Sequence, residues 1–175
     1  MSGQFHIEAL ASGHDRAAFT CGSDALDRYL REQASQDMRR RTSACYVAAD
    51  DKTSAIAGYY TLAASSVPIT DLAEAMAKKL PRYPLVPVVR IGRLAVGTAF
   101  QKRQLGPALL WDAGQRAARS GMGVFALVVD AKDQTAAAFY THHGFVNFSA
   151  DPLAFVLPIA SLATDPRRAT KARDS

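Results

Sequence analysis

Two stretches of the chain combine residue types at spacings that chemistry can use. The first runs Arg93-Leu94-Ala95-Val96 and then Gln101-Lys102-Arg103-Gln104-Leu105-Gly106-Pro107. It reads as a strand feeding a basic loop that leads directly into a helix. The first N–H groups of a helix lack intrahelical partners and carry the positive end of its dipole. Such an end suits a pyrophosphate, and Lys102 and Arg103 add charge beside it. Gly106 removes a side chain where backbone can approach a ligand closely. The same residues would also make an ordinary basic surface loop. The second stretch is Asp133, Ala136, Phe139 and Tyr140, followed by Gly144-Phe145. Asp133 and Tyr140 are two helical turns apart and share one side of a helix. Ala136 and Ala137 leave room for something to lie against it. A tyrosine here can equally do no more than pack its ring and bond its hydroxyl.

Other candidates are less defined. Glu8, Asp130 and His142 qualify as general bases only by residue type. Cys21 and Cys45 are the only cysteines. Their separation matches no zinc spacing, and both lie outside the two stretches, so no metal and no thiol nucleophile is expected. The formal net charge is +5. Its distribution is clustered: Arg39, Arg40 and Arg41, then Arg82, Arg90 and Arg93, then Lys102 and Arg103, with more cations in the tail. Clusters of this kind neutralise phosphates.

The elements that must position these residues follow from periodicity and punctuation. A short strand is expected over 5–10. Ser23 is placed as the N-cap of a helix to about 40, with Leu26, Tyr29, Leu30, Gln33, Ala34 and Met38 on one stripe. Residues 43–49 and 56–63 read as an antiparallel hairpin, and 71–79 as a short helix. Three prolines make 81–87 a stiff loop before a strand at 88–96. Gly106-Pro107 opens a helix ending near Gly121. Residues 124–129 are a buried strand, Asp133 caps a helix to about 143, and 145–148 and 153–157 are closing strands. Antiparallel pairs mixed with crossovers argue for an α/β arrangement around a mixed sheet.

The chain has 175 residues and is 49% hydrophobic, which suits one domain over 1–162 with a charged, flexible tail over 163–175. No apolar run approaches the roughly 18 residues that span a bilayer. Residues 1–10 show no basic-then-apolar leader pattern, so no membrane association and a cytoplasmic address are expected.

Taken together, the two stretches resemble the GCN5-related N-acetyltransferase (GNAT) superfamily. Its cofactor loop reads Arg/Gln-x-x-Gly-x-Gly/Ala, met by Gln101 and Gly106 and broken at Gln104, where Gly is usual. Its later helix reads Asn-x-x-Ala-x-x-x-Tyr, met by Ala136 and Tyr140 with Asp133 in place of Asn. Phe139-Tyr140-x-x-x-Gly144-Phe145 completes the pattern. A narrower resemblance covers almost the whole chain. It rests on Phe19-x-Cys21-Gly22-x-x-x-Leu26-Asp27-x-Tyr29-Leu30, the run Arg39, Arg40 and Arg41, Gly58-Tyr59-Tyr60, Leu80-Pro81-Arg82-Tyr83-Pro84, Arg93-Leu94-Ala95-Val96, Asp151-Pro152-Leu153 and Leu157-Pro158. These resemble the GNAT toxins of bacterial type II toxin–antitoxin pairs.

The resemblance implies a mixed, mostly antiparallel sheet flanked by helices in one domain. It implies acetyl-CoA as co-substrate, held by Leu94, Ala95 and Val96, by Gln101 to Pro107 (Lys102, Arg103, Gln104, Leu105 and Gly106 between them), and by Asp133, Ala136 and Phe139. Tyr140 would be the catalytic acid. Aminoacyl-tRNA would be the acceptor, against Arg39, Arg40, Arg41, Arg82, Arg90 and Arg93, so that translation is blocked. A ribbon-helix-helix antitoxin and a homodimer are the implied protein partners, and apolar 86–89 is one place for a self-contact. The competing readings are an N-acetyltransferase of a protein N-terminus or small amine, and an inactive acyl-CoA-binding module.

Overall fold

The computed structural model describes residues 4–164. From 165 onward the expected charged tail lies outside the described residues. Seven strands form one mixed sheet in the order β1-β2-β3-β4-β5-β7-β6. They are β1 (Phe5–Ala9), β2 (Ala44–Asp50), β3 (Ile56–Pro68), β4 (Leu85–Val96), β5 (Ala126–Asp130), β6 (Val146–Asn147) and β7 (Ala154–Pro158). The β1–β2, β2–β3, β5–β7 and β6–β7 pairs are antiparallel. The chain divides into two compact units, one from residues 4–63 and 91–115, the other from 64–90 and 116–164.

In the first unit, Ser23 caps the expected helix, its Oγ accepting from Leu26 N–H at 3.5 Å. That helix is three segments: α1 (Asp24–Arg28), a π turn (Tyr29–Gln33) and α2 (Ala34–Arg39). The apolar stripe holds except at Gln33, which is exposed. Leu30 and Ala34 are fully buried with Cys45, Val47 and Tyr59 of the sheet, and Leu26 and Met38 pack at the edge. Burying a side chain of Leu30's size stabilises by about 1.5–3 kcal/mol. The Phe19, Tyr29 and Tyr59 rings pack together, and the Tyr59 hydroxyl donates to Leu26 O at 2.6 Å.

In the second unit, Val67, Leu72, Val86, Val88, Val128, Phe148 and Val156 form a separate apolar cluster. Three expectations fail here. The strand β3 continues to Pro68 past the expected end at 63, because Ala64, Ser65 and Ser66 are exposed or half-exposed and carry little hydrophobic signal before buried Val67. The expected helix over 71–79 shrinks to a 3-10 turn (Ile69–Asp71) and α3 (Glu74–Ala77). The proline loop is shorter than expected, since β4 begins at Leu85. Pro87 fits inside that strand because its ring fixes an extended φ and its carbonyl still accepts from Phe125 N–H at 2.9 Å. Val86, Val88 and Val89 are buried in the chain's own core, so only Pro87 of 86–89 is exposed for a self-contact.

Candidate active site

In the first unit, β4 ends at Val96 and a 3-10 turn (Thr98–Phe100) passes the chain to Gln101, whose amide donates to Val96 O at 3.4 Å. Lys102 and Gln104 then adopt φ of +65° and +62°. Left-handed backbone costs an L-residue about 1–2 kcal/mol, and such strain concentrates at functional sites. The structure therefore explains why glycine would be favoured at position 104, and shows Gln104 bearing the conformation anyway, with its side chain exposed. Leu105 is buried and pins the start of α4 (Leu105–Ala118). The N–H groups of Leu105 and Gly106 lie in the first turn, beyond reach of any intrahelical carbonyl, and Pro107 contributes none. Lys102 and Arg103 are exposed beside them, the Arg103 guanidinium 5.6 Å from the Phe100 ring centre. Unpaired donors and two free cations suit a diphosphate.

Gly58 on β3 makes this corner possible. A Cβ there would lie 2.8 Å from Ala95 O and 3.0 Å from Leu109 Cδ1. Only a glycine lets β3 come so close to both β4 and α4.

In the second unit, Asp133 caps α5 (Gln134–His142), accepting from Ala136 N–H at 2.8 Å. Its carboxylate is thereby occupied with the helix start. Seven residues on, Tyr140 is buried, its ring 5.2 Å from Phe139, 5.4 Å from Phe145 and 6.3 Å from Phe155. Gly144, at φ +93°, reverses the chain so that Phe145 N–H reaches Tyr140 O at 3.1 Å and the Phe145 ring meets the tyrosine. The Tyr140 hydroxyl has no hydrogen-bond partner among the described residues. Burial pushes its pKa up to about 12. The group is a neutral phenol at physiological pH with its proton uncommitted. Ala136 and Phe139 are half-buried on the same helix.

The first unit thus contains residues 94–107, Arg93 and the run Arg39, Arg40 and Arg41, and the second contains Asp133, Ala136, Phe139, Tyr140, Arg82 and Arg90. Not every cation is free for an anion. Arg90 is paired to Asp130 at 2.8 Å, which occupies an acceptor-side cation and a base candidate at once. Arg93 lies 3.5 Å over the Tyr29 ring. Arg39, Arg40, Arg41 and Arg82 are exposed. Glu8 bonds His14 at 2.8 Å, and that bond holds its carboxyl below the usual range. His142 is exposed. Cys45 is buried, which pushes its thiol to about 12 and leaves no thiolate for nucleophilic work.

The sequence reading missed the polar set around Tyr29. The Tyr29 hydroxyl donates to Asp37 Oδ2 at 2.7 Å, and Gln33 Nε2 donates to Asp37 Oδ1 at 2.9 Å. Gln33 and Asp37 are an ordinary i,i+4 pair, but an eight-residue spacing from Tyr29 to Asp37 is unremarkable in sequence and gave no signal.

Residues 8–145 match the Acetyltransferase (GNAT) family. A tRNA-acetylating toxin of Mycobacterium tuberculosis (strain ATCC 25618 / H37Rv) is 35% identical over 159 residues, covering 90% of this chain and 93% of that protein. Among solved structures, AtaT complexed with acetyl-methionyl-tRNAfMet matches with a TM-score of 0.84 at 27% identity, over 91% of this chain and 97% of that one. A tyrosine-to-phenylalanine variant of the AtaT toxin, bound to the C-terminus of the antitoxin AtaR and acetyl-CoA, matches with a TM-score of 0.74 at 25% identity, over 90% and 95% of the two chains.

Proposed function

The chain belongs to the acetyltransferase (GNAT) family, and from that premise we propose that it is the toxin of a type II toxin–antitoxin pair. It moves acetyl from acetyl-CoA to the α-amino group of aminoacyl-tRNA and so blocks translation. The observation that carries this reading is the 35% identity to a tRNA-acetylating toxin over 90% of the chain.

Residues 1–162 act as one acetyltransferase domain. Acetyl-CoA supplies the acetyl thioester, and residues 101–107 hold its diphosphate with backbone N–H groups, Lys102 and Arg103. The N–H groups around Leu94, Ala95 and Val96 polarise the thioester carbonyl. The neutral amine attacks that carbon, the C–N bond forms and the C–S bond breaks. Tyr140 gives its proton to the departing sulfur, and the amine's surplus proton restores the phenol through water. A phenol raised to about 12 is a weak acid toward a free thiolate in water. Burial raises the basicity of a desolvated thiolate as well, so transfer concerted with C–S cleavage is the consistent path. An α-amine titrates near 8 and needs no strong base.

On the acceptor side, Arg39, Arg40, Arg41, Arg82 and Arg93 meet tRNA phosphates, with Arg90 available only if it releases Asp130. A ribbon-helix-helix antitoxin neutralises the toxin in the cytoplasm. Homodimerisation draws on exposed Tyr83, Leu85 and Met122, since Val86, Val88 and Val89 are buried. Among the described residues no helix is long and apolar enough to cross a membrane.

The test is transfer of radiolabelled acetyl from acetyl-CoA to total charged tRNA by wild type and Tyr140→Phe. Label on the aminoacyl end that drops sharply in the variant supports substrate and acid together. Equal label in both sinks the acid, and no label with acetyl-CoA still bound sinks the tRNA substrate.

A further inference from the structure

Arg93 is a half-buried cation whose charge no carboxylate neutralises by direct contact. Its guanidinium lies flat, 3.5 Å above the centre of the Tyr29 ring. Among the described residues it makes no hydrogen bond and no ion pair, so its five donors point at no protein acceptor. A guanidinium stacked this way is immobilised without using its donors.

The platform beneath it is itself tied down. The Tyr29 hydroxyl donates to Asp37 at 2.7 Å, Gln33 donates to the other oxygen of Asp37 at 2.9 Å, and the stacked Tyr59 ring lies 6.4 Å away. Tyr29 to Gln33 form a π turn, and π turns recur at functional sites. Asp37 accepts from both Tyr29 and Gln33 and makes no ion pair with Arg93 among the described residues.

We propose that Arg93, laid on the Tyr29 ring, is a preorganised receptor for one backbone phosphate of the acceptor RNA, with Tyr29 and Asp37 as the positioning residues that hold it. One planar fork fixed on a ring, with its donors open, suits a phosphate better than mobile side chains on a diffuse basic face do. This deepens the aminoacyl-tRNA reading and rests on it, while its test does not require turnover.

Binding of uncharged tRNA is followed by fluorescence anisotropy across a salt series, alongside steady-state kinetics with aminoacyl-tRNA. Arg93→Gln removes one phosphate contact, so the slope of log affinity against log salt shrinks by about 0.7–0.9. Tyr29→Phe keeps the ring and loses the Asp37 tether. It raises the KM for aminoacyl-tRNA by about three- to ten-fold with kcat within about two-fold, and adds nothing in an Arg93→Gln background. Acetyl-CoA affinity monitors folding in each variant. An unchanged salt slope in Arg93→Gln, or a Tyr29→Phe effect that adds fully to that variant, overturns the receptor. A wild type that binds polyglutamate in preference to tRNA overturns it too. If the slope changes as expected but no acetyl reaches charged tRNA, the receptor stands and the substrate reading falls.

Discussion

At the scale of single residues, Tyr140 carries the sharpest expectation. Its hydroxyl is unbonded among the described residues while its ring is locked between Phe139, Phe145 and Phe155, so Tyr140→Phe removes one oxygen without disturbing the packing. Transfer to aminoacyl-tRNA should fall about a hundred-fold or more in kcat, with acetyl-CoA affinity and melting temperature little changed. Steady-state kinetics beside a thermal melt separates that outcome from simple unfolding. The same residue sets an alkaline limit on stability. The folded chain holds the phenolic proton up to about pH 12, and the unfolded chain releases it near 10. Above pH 10 the unfolded state binds fewer protons, so stability declines as pH rises through that window. Urea midpoints at pH 9, 10 and 11 should drop less steeply in Tyr140→Phe than in wild type, with the raised Tyr29 and Tyr59 phenols and the raised Cys45 thiol contributing the rest. Gln104 offers the opposite kind of test. Its φ of +62° is strained for glutamine and easy for glycine. Gln104→Gly should gain about 0.5–1 kcal/mol, net of the added freedom of the unfolded chain, and bind acetyl-CoA at least as tightly. Weaker binding by calorimetry would mean that the glutamine amide itself bonds the diphosphate.

At the scale of elements, the corner of β3, β4 and α4 is the least forgiving place. Gly58→Ala would press a methyl group to 2.8 Å from Ala95 O, a backbone atom that cannot swing aside. The strand must shift, and Leu94, Ala95 and Val96, which we propose polarise the thioester, shift with it. We expect a loss of more than about 2 kcal/mol in stability and weakened acetyl-CoA binding, read by chemical denaturation and calorimetry. Wild-type stability in this variant would show that β3 has slack the structure does not suggest. The hairpin, the capped helix at Ser23, the helix opened at Gly106-Pro107 and the helix capped by Asp133 were all legible in the sequence, because caps, turns and apolar periodicity are local. The extension of β3 to Pro68, the entry of β4 at Leu85 and the π turn were not. The first two owe their pairing to neighbouring strands, and the third depends on how Tyr29 and Leu30 meet the sheet.

At the scale of the whole molecule, a formal charge of +5 predicts how the two substrates respond to salt. The KM for aminoacyl-tRNA should climb steeply between about 50 and 200 mM salt, each phosphate contact adding roughly 0.7–0.9 to the slope. The KM for acetyl-CoA, which carries far fewer charges, should move much less. Parallel slopes would remove the case for an extended RNA contact.

What the sequence determined by itself was the set of chemical parts: a strand–loop–helix segment, a capped helix ending in Phe139-Tyr140, and arginines in excess over their neighbours. Each depends on residues close together along the chain. Only the tertiary structure decided what each part is free to do. It buried Tyr140 and so kept its proton, strained Gln104, and occupied Arg90 with Asp130. It also laid Arg93 across Tyr29, with its donors unspent. Burial, pairing and stacking are made between residues distant in sequence, and no spacing rule along the chain encodes them.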